Sequence, residues 1–109
     1  MLKKSIRVSK NLFDEIKKTK PKLVLKTNSL SFKYYTYPSK HFAVVVSKKT
    51  ISRANKRVKI KRLIKRYLQE IVNDLPSGVY IFIVTSPGIL NKTYEEISTE
   101  VNSVLSKVH

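Results

Sequence analysis

The spacing of apolar positions changes several times along the chain, and each change marks an element. Leu12, Phe13 and Ile16 fall on one side of a short helix over 9–18. Ser9 is placed to cap it, and Asp14 and Glu15 precede Lys17 and Lys18 as the helix dipole prefers. Pro21 prevents a long continuation. Leu23-Val24-Leu25 and residues 31–37 (SFKYYTY) read as strands joined by 26–30, the second rich in aromatic residues. After the break at Pro38-Ser39-Lys40, residues 41–47 (HFAVVVS) form the next strand, and their unbroken apolar run predicts burial on both faces.

From about Ile51 to Val72 the period lengthens to that of a helix. Ile60, Leu63, Ile64, Tyr67, Leu68, Ile71 and Val72 make one apolar stripe. Pro76-Ser77-Gly78 is a turn, and 79–85 (VYIFIVT) is a second strand of buried character, ended by Ser86-Pro87-Gly88. Thr93 and Glu96 have capping-box spacing, and Ile97, Val101, Val104, Leu105 and Val108 continue an amphipathic helix. The order α-β-β-β-α-β-α predicts an α+β, two-layer sandwich with helices packed on one small sheet, in a single domain over 1–109.

Composition narrows the function. There is no cysteine, which excludes disulfides, zinc–thiolate sites and a cysteine nucleophile. The apolar runs are too short to cross a bilayer, and no apolar stretch follows the early lysines. The expectation is a protein without a signal peptide, soluble and cytoplasmic. Charge changes the picture most. Residues 1–66 carry 21 basic and 2 acidic residues, whereas 67–109 carry 2 basic and 5 acidic, within a total of +16. Self-repulsion on this scale opposes a compact fold unless a polyanion relieves it. Nucleic acid is the expected partner, ahead of an anionic membrane surface.

The cations concentrate at the start of the central helix. Eight of the fifteen residues 52–66 are basic: Arg53, Lys56, Arg57, Lys59, Lys61, Arg62, Lys65 and Arg66. With the apolar stripe turned to the sheet, they must project from the other side, and Arg53, Arg57 and Lys61 line one edge at i, i+4, i+8. Such spacing can follow phosphates, with arginine adding bidentate contacts. Lys48 and Lys49 lead into the helix and extend the candidate RNA-binding set. On residues 31–37, alternation sends Phe32 and Tyr34 to one face and Tyr35 and Tyr37 to the other. One set is expected in the core, and the other offers a ring to an unpaired base. Groups for catalysis are sparse. His41 and His109 stand without a second ligand at useful spacing, and Glu95, Glu96 and Glu100 fit capping and solubility. No catalytic or metal-binding residue is assigned.

Val46-Ser47-Lys48-Lys49 is followed by Ala54, Arg57, Lys59, Lys61 and Arg62, then by Leu75-Pro76 and the strand 79–85. This series resembles the protein subunit of bacterial ribonuclease P, which has a strand ending Val-Ser-Lys-Lys, a helix of the form Gly-Asn-Ala-Val-x-Arg-Asn-Arg-x-Lys-Arg and a Leu-Pro turn. Phe13 on the opening helix and the aromatic strand extend the likeness over nearly the whole chain. Ser52-Arg53 replaces the family's Gly-Asn, and Val58, which cannot hydrogen-bond RNA, stands where the family favours Asn.

The resemblance implies a mixed sheet with a left-handed β-α-β crossover, a ribosomal-protein-S5-domain-2-like arrangement. It implies that the catalyst is a large RNA, whose Mg²⁺ ions activate water to cut precursor tRNA at its 5′ end. The basic helix would dock on that RNA. A cleft between this helix and the sheet would hold the single-stranded 5′ leader, with Phe13 and Tyr35 as stacking walls and Lys48, Arg57 and Lys61 near its phosphates. No small-molecule substrate is implied. The alternative is a small ribosomal or general RNA-binding protein with no role in cleavage. A stand-alone nuclease is disfavoured by the few acid–base groups, and a DNA-binding module by the lack of a helix-turn-helix pattern.

Overall fold

The computed structural model describes residues 10–108. Ser9, the expected cap of the first helix, and His109 lie outside the described residues. The elements are α1 (Lys10–Ile16), β1 (Leu23–Lys26), β2 (Leu30–Tyr35), β3 (Lys40–Val46), α2 (Ala54–Ile71), β4 (Gly78–Val84) and α3 (Tyr94–Leu105). Short 3₁₀ segments at Val72–Asp74 and Pro87–Asn91, which hydrophobic periodicity does not signal, lead out of α2 and into α3. The sheet order is β1-β2-β4-β3. β4 pairs antiparallel with β2 and parallel with β3. A parallel pair cannot be joined by a tight turn, and α2 is the crossover between its strands.

Register stacks the main core. Phe32 lies opposite Phe82, Tyr34 opposite Tyr80, and Phe42 beside Tyr80. Their rings meet at 4.9, 5.0 and 4.8 Å between centroids respectively. Onto this layer α2 lowers Ile60, Ile64 and Leu68, and α3 lowers Ile97, Val101, Val104 and Leu105. Each aliphatic side chain buried in this way contributes roughly 1.5–3 kcal/mol by leaving water. The sheet and the α2/α3 pair are the two main layers. On the opposite face Tyr35, Val79 and Ile81 are covered by Leu12 and Ile16 of α1, a short cap. Alternation along β2 therefore separates two apolar clusters, not core from solvent.

One expectation is corrected and another is extended. Residues 41–47 were expected to be buried on both faces, but β3 is an edge strand. Phe42, Val44 and Val46 are buried while His41, Ala43 and Val45 are half-buried. Burial on both faces belongs instead to β4, flanked by strands on both sides and half-buried only at Ile83. The Glu95, Glu96 and Glu100 group is expected to serve capping and solubility; the capping holds, and Glu100 adds a tertiary tie. Glu96 closes the capping box with Thr93, and hydrogen bonds with the Thr93 backbone and side chain hold its carboxyl below the usual value. Glu100 ties α3 to the β1–β2 turn, accepting from the Thr27 hydroxyl, the Ser29 N–H at 3.0 Å and the Lys92 ammonium. Burial pushes this carboxyl up, but the bonds from Lys92, Thr27 and Ser29 outweigh it and leave the pKa lowered.

Two phenols secure the turn into β4. Tyr34 donates to the Ser77 carbonyl at 2.6 Å, and Tyr80 donates to the Pro76 carbonyl at 2.5 Å. Burial, with Tyr34 as a smaller influence, raises the Tyr80 pKa far above its ordinary value and keeps it a donor. Gly78 follows at φ +153°, and a Cβ there would lie 2.3 Å from Tyr34 Cε1. Only glycine fits both the backbone and the ring beneath it.

Gly78→Ala is expected to destabilise the fold by about 1–3 kcal/mol in urea unfolding, through overpacking against a ring fixed at both ends. An unchanged midpoint would show that Tyr34 can move aside. Glu100→Gln is expected to cost about 1–3 kcal/mol at neutral pH. Because the folded pKa lies below the ordinary 4.5, this contribution is complete above 4.5 and fades as pH falls through the folded value. A difference between Glu and Gln that stays constant into acid would show that ionisation is not its source.

Candidate nucleic-acid interface

The route into α2 determines how its cations are displayed. After β3, Ser47 and Thr50 close a turn through their hydroxyls at 3.0 Å, with the Ile51 N–H donating to the Ser47 carbonyl at 3.0 Å. This turn holds Lys48 and Lys49 exposed at its tip, while Ile51 is buried as the anchor. The helix begins at Ala54, so Arg53 is its N-cap residue, in extended conformation and without a side-chain capping bond. Arg53 is therefore the approach to the expected row of 53, 57 and 61, not its first helical member.

Ile60, Ile64 and Leu68 bind α2 to the sheet, and the cations take the remaining circumference. Lys56, Lys59, Arg62 and Arg66 are exposed with Arg53, while Arg57, Lys61 and Lys65 are half-buried at the flanks. No acidic residue occupies the first turn, so the positive end of the helix dipole adds to the side-chain charge. Arg66 has a carboxylate at 3.8 Å, on Glu70, and stacks over the Tyr94 ring with its guanidinium carbon 4.5 Å from the centroid. Val58 is 43% exposed among these cations, an apolar site on the rail.

Arg57 has a role that charge counting did not show. Its Nη1 donates to the carbonyls of Ile51 and Ser52, each at 2.8 Å. The guanidinium thus braces the loop from which it rises. The sequence signal was the spacing of 5 and 6 residues back to two loop carbonyls, visible only once the helix start is known.

The expected leader cleft between α2 and the sheet is overturned. That interval is packed solid by Ile60, Ile64 and Leu68 against the main core. Phe13 and Tyr35 do come together, but in the second cluster, on the opposite face of the sheet. Tyr35 is only 8% exposed. Phe13 is half-buried with the Lys17 ammonium 5.3 Å from its ring centre. Tyr37, also half-buried, stands edge-on to His41 at 5.6 Å. Any ring offered from this face in the present conformation is therefore Phe13 or Tyr37 before Tyr35. His41 Nε2 is paired with Ser39 Oγ at 2.7 Å. Among the described residues, no three His, Cys, Asp or Glu side chains cluster as metal ligands, and no helix is long and apolar enough to cross a membrane.

A family model described as Ribonuclease P matches residues 2–109. Comparison with curated proteins gives no significant match. Among solved structures, a Staphylococcus aureus RNase P protein mutant with defective mRNA degradation activity is similar, with a TM-score of 0.83 at 23% identity over 97% of this chain and 92% of that one. The S. aureus RNase P protein gives 0.81 at 23% identity, covering 96% and 98%. The Thermotoga maritima RNase P protein gives 0.76 at 16% identity, covering 89% and 91%. At these identities the likeness is one of fold.

Arg57→Ala is expected to speed amide hydrogen exchange across 47–53 while leaving β4 protected, since it removes two charge-assisted bonds to the loop. Exchange in that segment equal to wild type would remove the bracing role.

Proposed function

The chain belongs to the ribonuclease P protein family, and on that premise we propose that it binds the catalytic RNA through α2 and engages the 5′ leader of precursor tRNA, assisting Mg²⁺-dependent 5′ maturation. Family membership gives it a place in the ribonuclease P ribonucleoprotein beside that RNA, and so in tRNA processing. The observation that carries the finer reading is the row of exposed cations on α2, set on a helix whose other side is committed to the core. A rigid rod of charge matches a phosphate backbone of fixed spacing, and lowers the self-repulsion of a +16 chain when bound.

In this reading the protein supplies binding and positioning, and the reaction belongs to the RNA with its Mg²⁺. Lys48, Lys49, Arg53, Lys56, Lys59 and Arg62 are presented outward for phosphates. Arg57 and Lys61 contribute from the flank, Arg57 with part of its guanidinium already engaged by the loop. The leader is assigned to the α1 side of the sheet, where Phe13 and Lys17 set a ring and a cation together. Tyr35 would join it only if α1 shifts, because Leu12 and Ile16 share its cluster.

The test is 5′ cleavage of a precursor tRNA at low Mg²⁺ by bacterial ribonuclease P RNA alone, by the protein alone, and by both. Cleavage mainly with both is expected. No gain from the protein, despite RNA binding, would favour a general RNA-binding role, and cleavage by the protein alone would reveal an active site in the polypeptide. In the same system Lys59→Ala with Arg62→Ala should flatten the salt dependence of RNA binding by about 2 log units per log unit of salt, roughly one per lost phosphate contact. An unchanged slope would place the RNA elsewhere on the surface.

A further inference from the structure

Arg66, near the C-terminal end of the cation rail, is held against an aromatic ring. Its guanidinium carbon sits 4.5 Å from the centre of the Tyr94 ring at the start of α3. Its Nε lies 3.8 Å from Glu70 Oε1, and the Tyr94 hydroxyl donates to that same carboxylate oxygen at 3.2 Å. Two side chains, Glu70 of α2 and Tyr94 of α3, thus hold one guanidinium and are tied to each other. The Arg66 side chain nevertheless remains 66% exposed. A flat, weakly hydrated cation that rests over a ring while most of its surface stays in solvent has less rotamer freedom left to lose, and a planar group can settle on it at reduced entropic cost.

We propose that the Arg66–Tyr94 pair is a stacking platform for an unpaired RNA base, a site separate from the phosphate contacts of the cation rail and resting on the RNA-binding reading above. A phosphate contact needs no ring beneath the charge. A base gains from the planar guanidinium and from the aromatic ring that polarises it, as in the stacking of unpaired bases on arginine planes. The platform stands on the α2/α3 side of the sheet, whereas Phe13 belongs to the α1 side. A base taken here lies across the sheet from one taken at Phe13 and on the helix that docks on the catalytic RNA, so the catalytic RNA is its source. Sequence pattern alone does not show the pair, because 66 and 94 are joined only by the packing of α2 on α3.

The test measures affinity of the full chain for a short oligoadenylate and for an abasic oligonucleotide of the same length, across a salt series. Arg66→Lys keeps the charge and loses the plane, Tyr94→Leu loses the ring, and Tyr94→Phe keeps it. Arg66→Lys and Tyr94→Leu are each expected to weaken oligoadenylate binding by about 5- to 100-fold. Abasic binding and the salt slope should be retained, and Tyr94→Phe should bind as wild type does. Arg66→Lys matching wild type, or losing equally on both probes, would overturn the platform and leave a plain charge or a bolt between helices. Thermal melting checks the fold, and Arg66→Lys decides the matter if Tyr94→Leu melts early. A wild type that does not distinguish the two probes also overturns the platform. The ribonuclease P reading falls separately, if protein and catalytic RNA together cleave no better than the RNA alone.

Discussion

β4 is hydrogen-bonded on both sides and packed on both faces, and the rest of the molecule is arranged around that position. Its antiparallel partner β2 brings the aromatic layer into register, and its parallel partner β3 obliges the chain to cross over the sheet. α2 is that crossover, so its apolar stripe must seal the main core. A helix so constrained cannot roll, and its cations have one direction left to point. The electrostatic face is thus a consequence of strand pairing. Its strength comes from composition, and its direction comes from β4.

The same constraint explains where charge is tolerated. Like charges at helical spacing repel, and an isolated helix with the sequence of α2 would be weakened by them. Burial of Ile60, Ile64 and Leu68 offsets that cost, and the Arg57 guanidinium is drawn back onto the carbonyls of its own loop. At the far end Arg66 is shared with Glu70 and Tyr94. Two acidic residues near the C-terminus are committed to the fold, with Glu96 capping α3 and Glu100 holding Thr27, Ser29 and Lys92. Between those anchoring points Lys59 and Arg62 remain exposed, and Lys61 and Lys65 are half-buried.

Aromatic residues divide by face. Phe32, Tyr34, Phe42, Tyr80 and Phe82 build the main core, and two of the phenols also hold the turn at Pro76-Ser77-Gly78. On the far face α1 is short and covers only part of the sheet, leaving Phe13 and Tyr37 half-buried. The cation rail and these rings belong to opposite layers, so one RNA strand meeting both must pass the sheet edge, whereas two segments could take one face each.

The element order, the amphipathic stripe of α2, the capping box at Thr93 and the basic run could all be read from residue spacing, because each depends on neighbours within a turn or two. The likeness to ribonuclease P proteins was carried by equally local features, Ser47-Lys48-Lys49, the cations at 57, 59, 61 and 62, and Leu75-Pro76. What the tertiary structure decided were the properties that depend on residues far apart in sequence. It made β3 an edge and β4 the centre, although both read as equally apolar runs. It closed the space between α2 and the sheet and put Tyr35 under α1. It also joined Arg66 to Tyr94 and Glu100 to Thr27. Alternation states that two faces differ; only the packing of distant elements decides what covers each one.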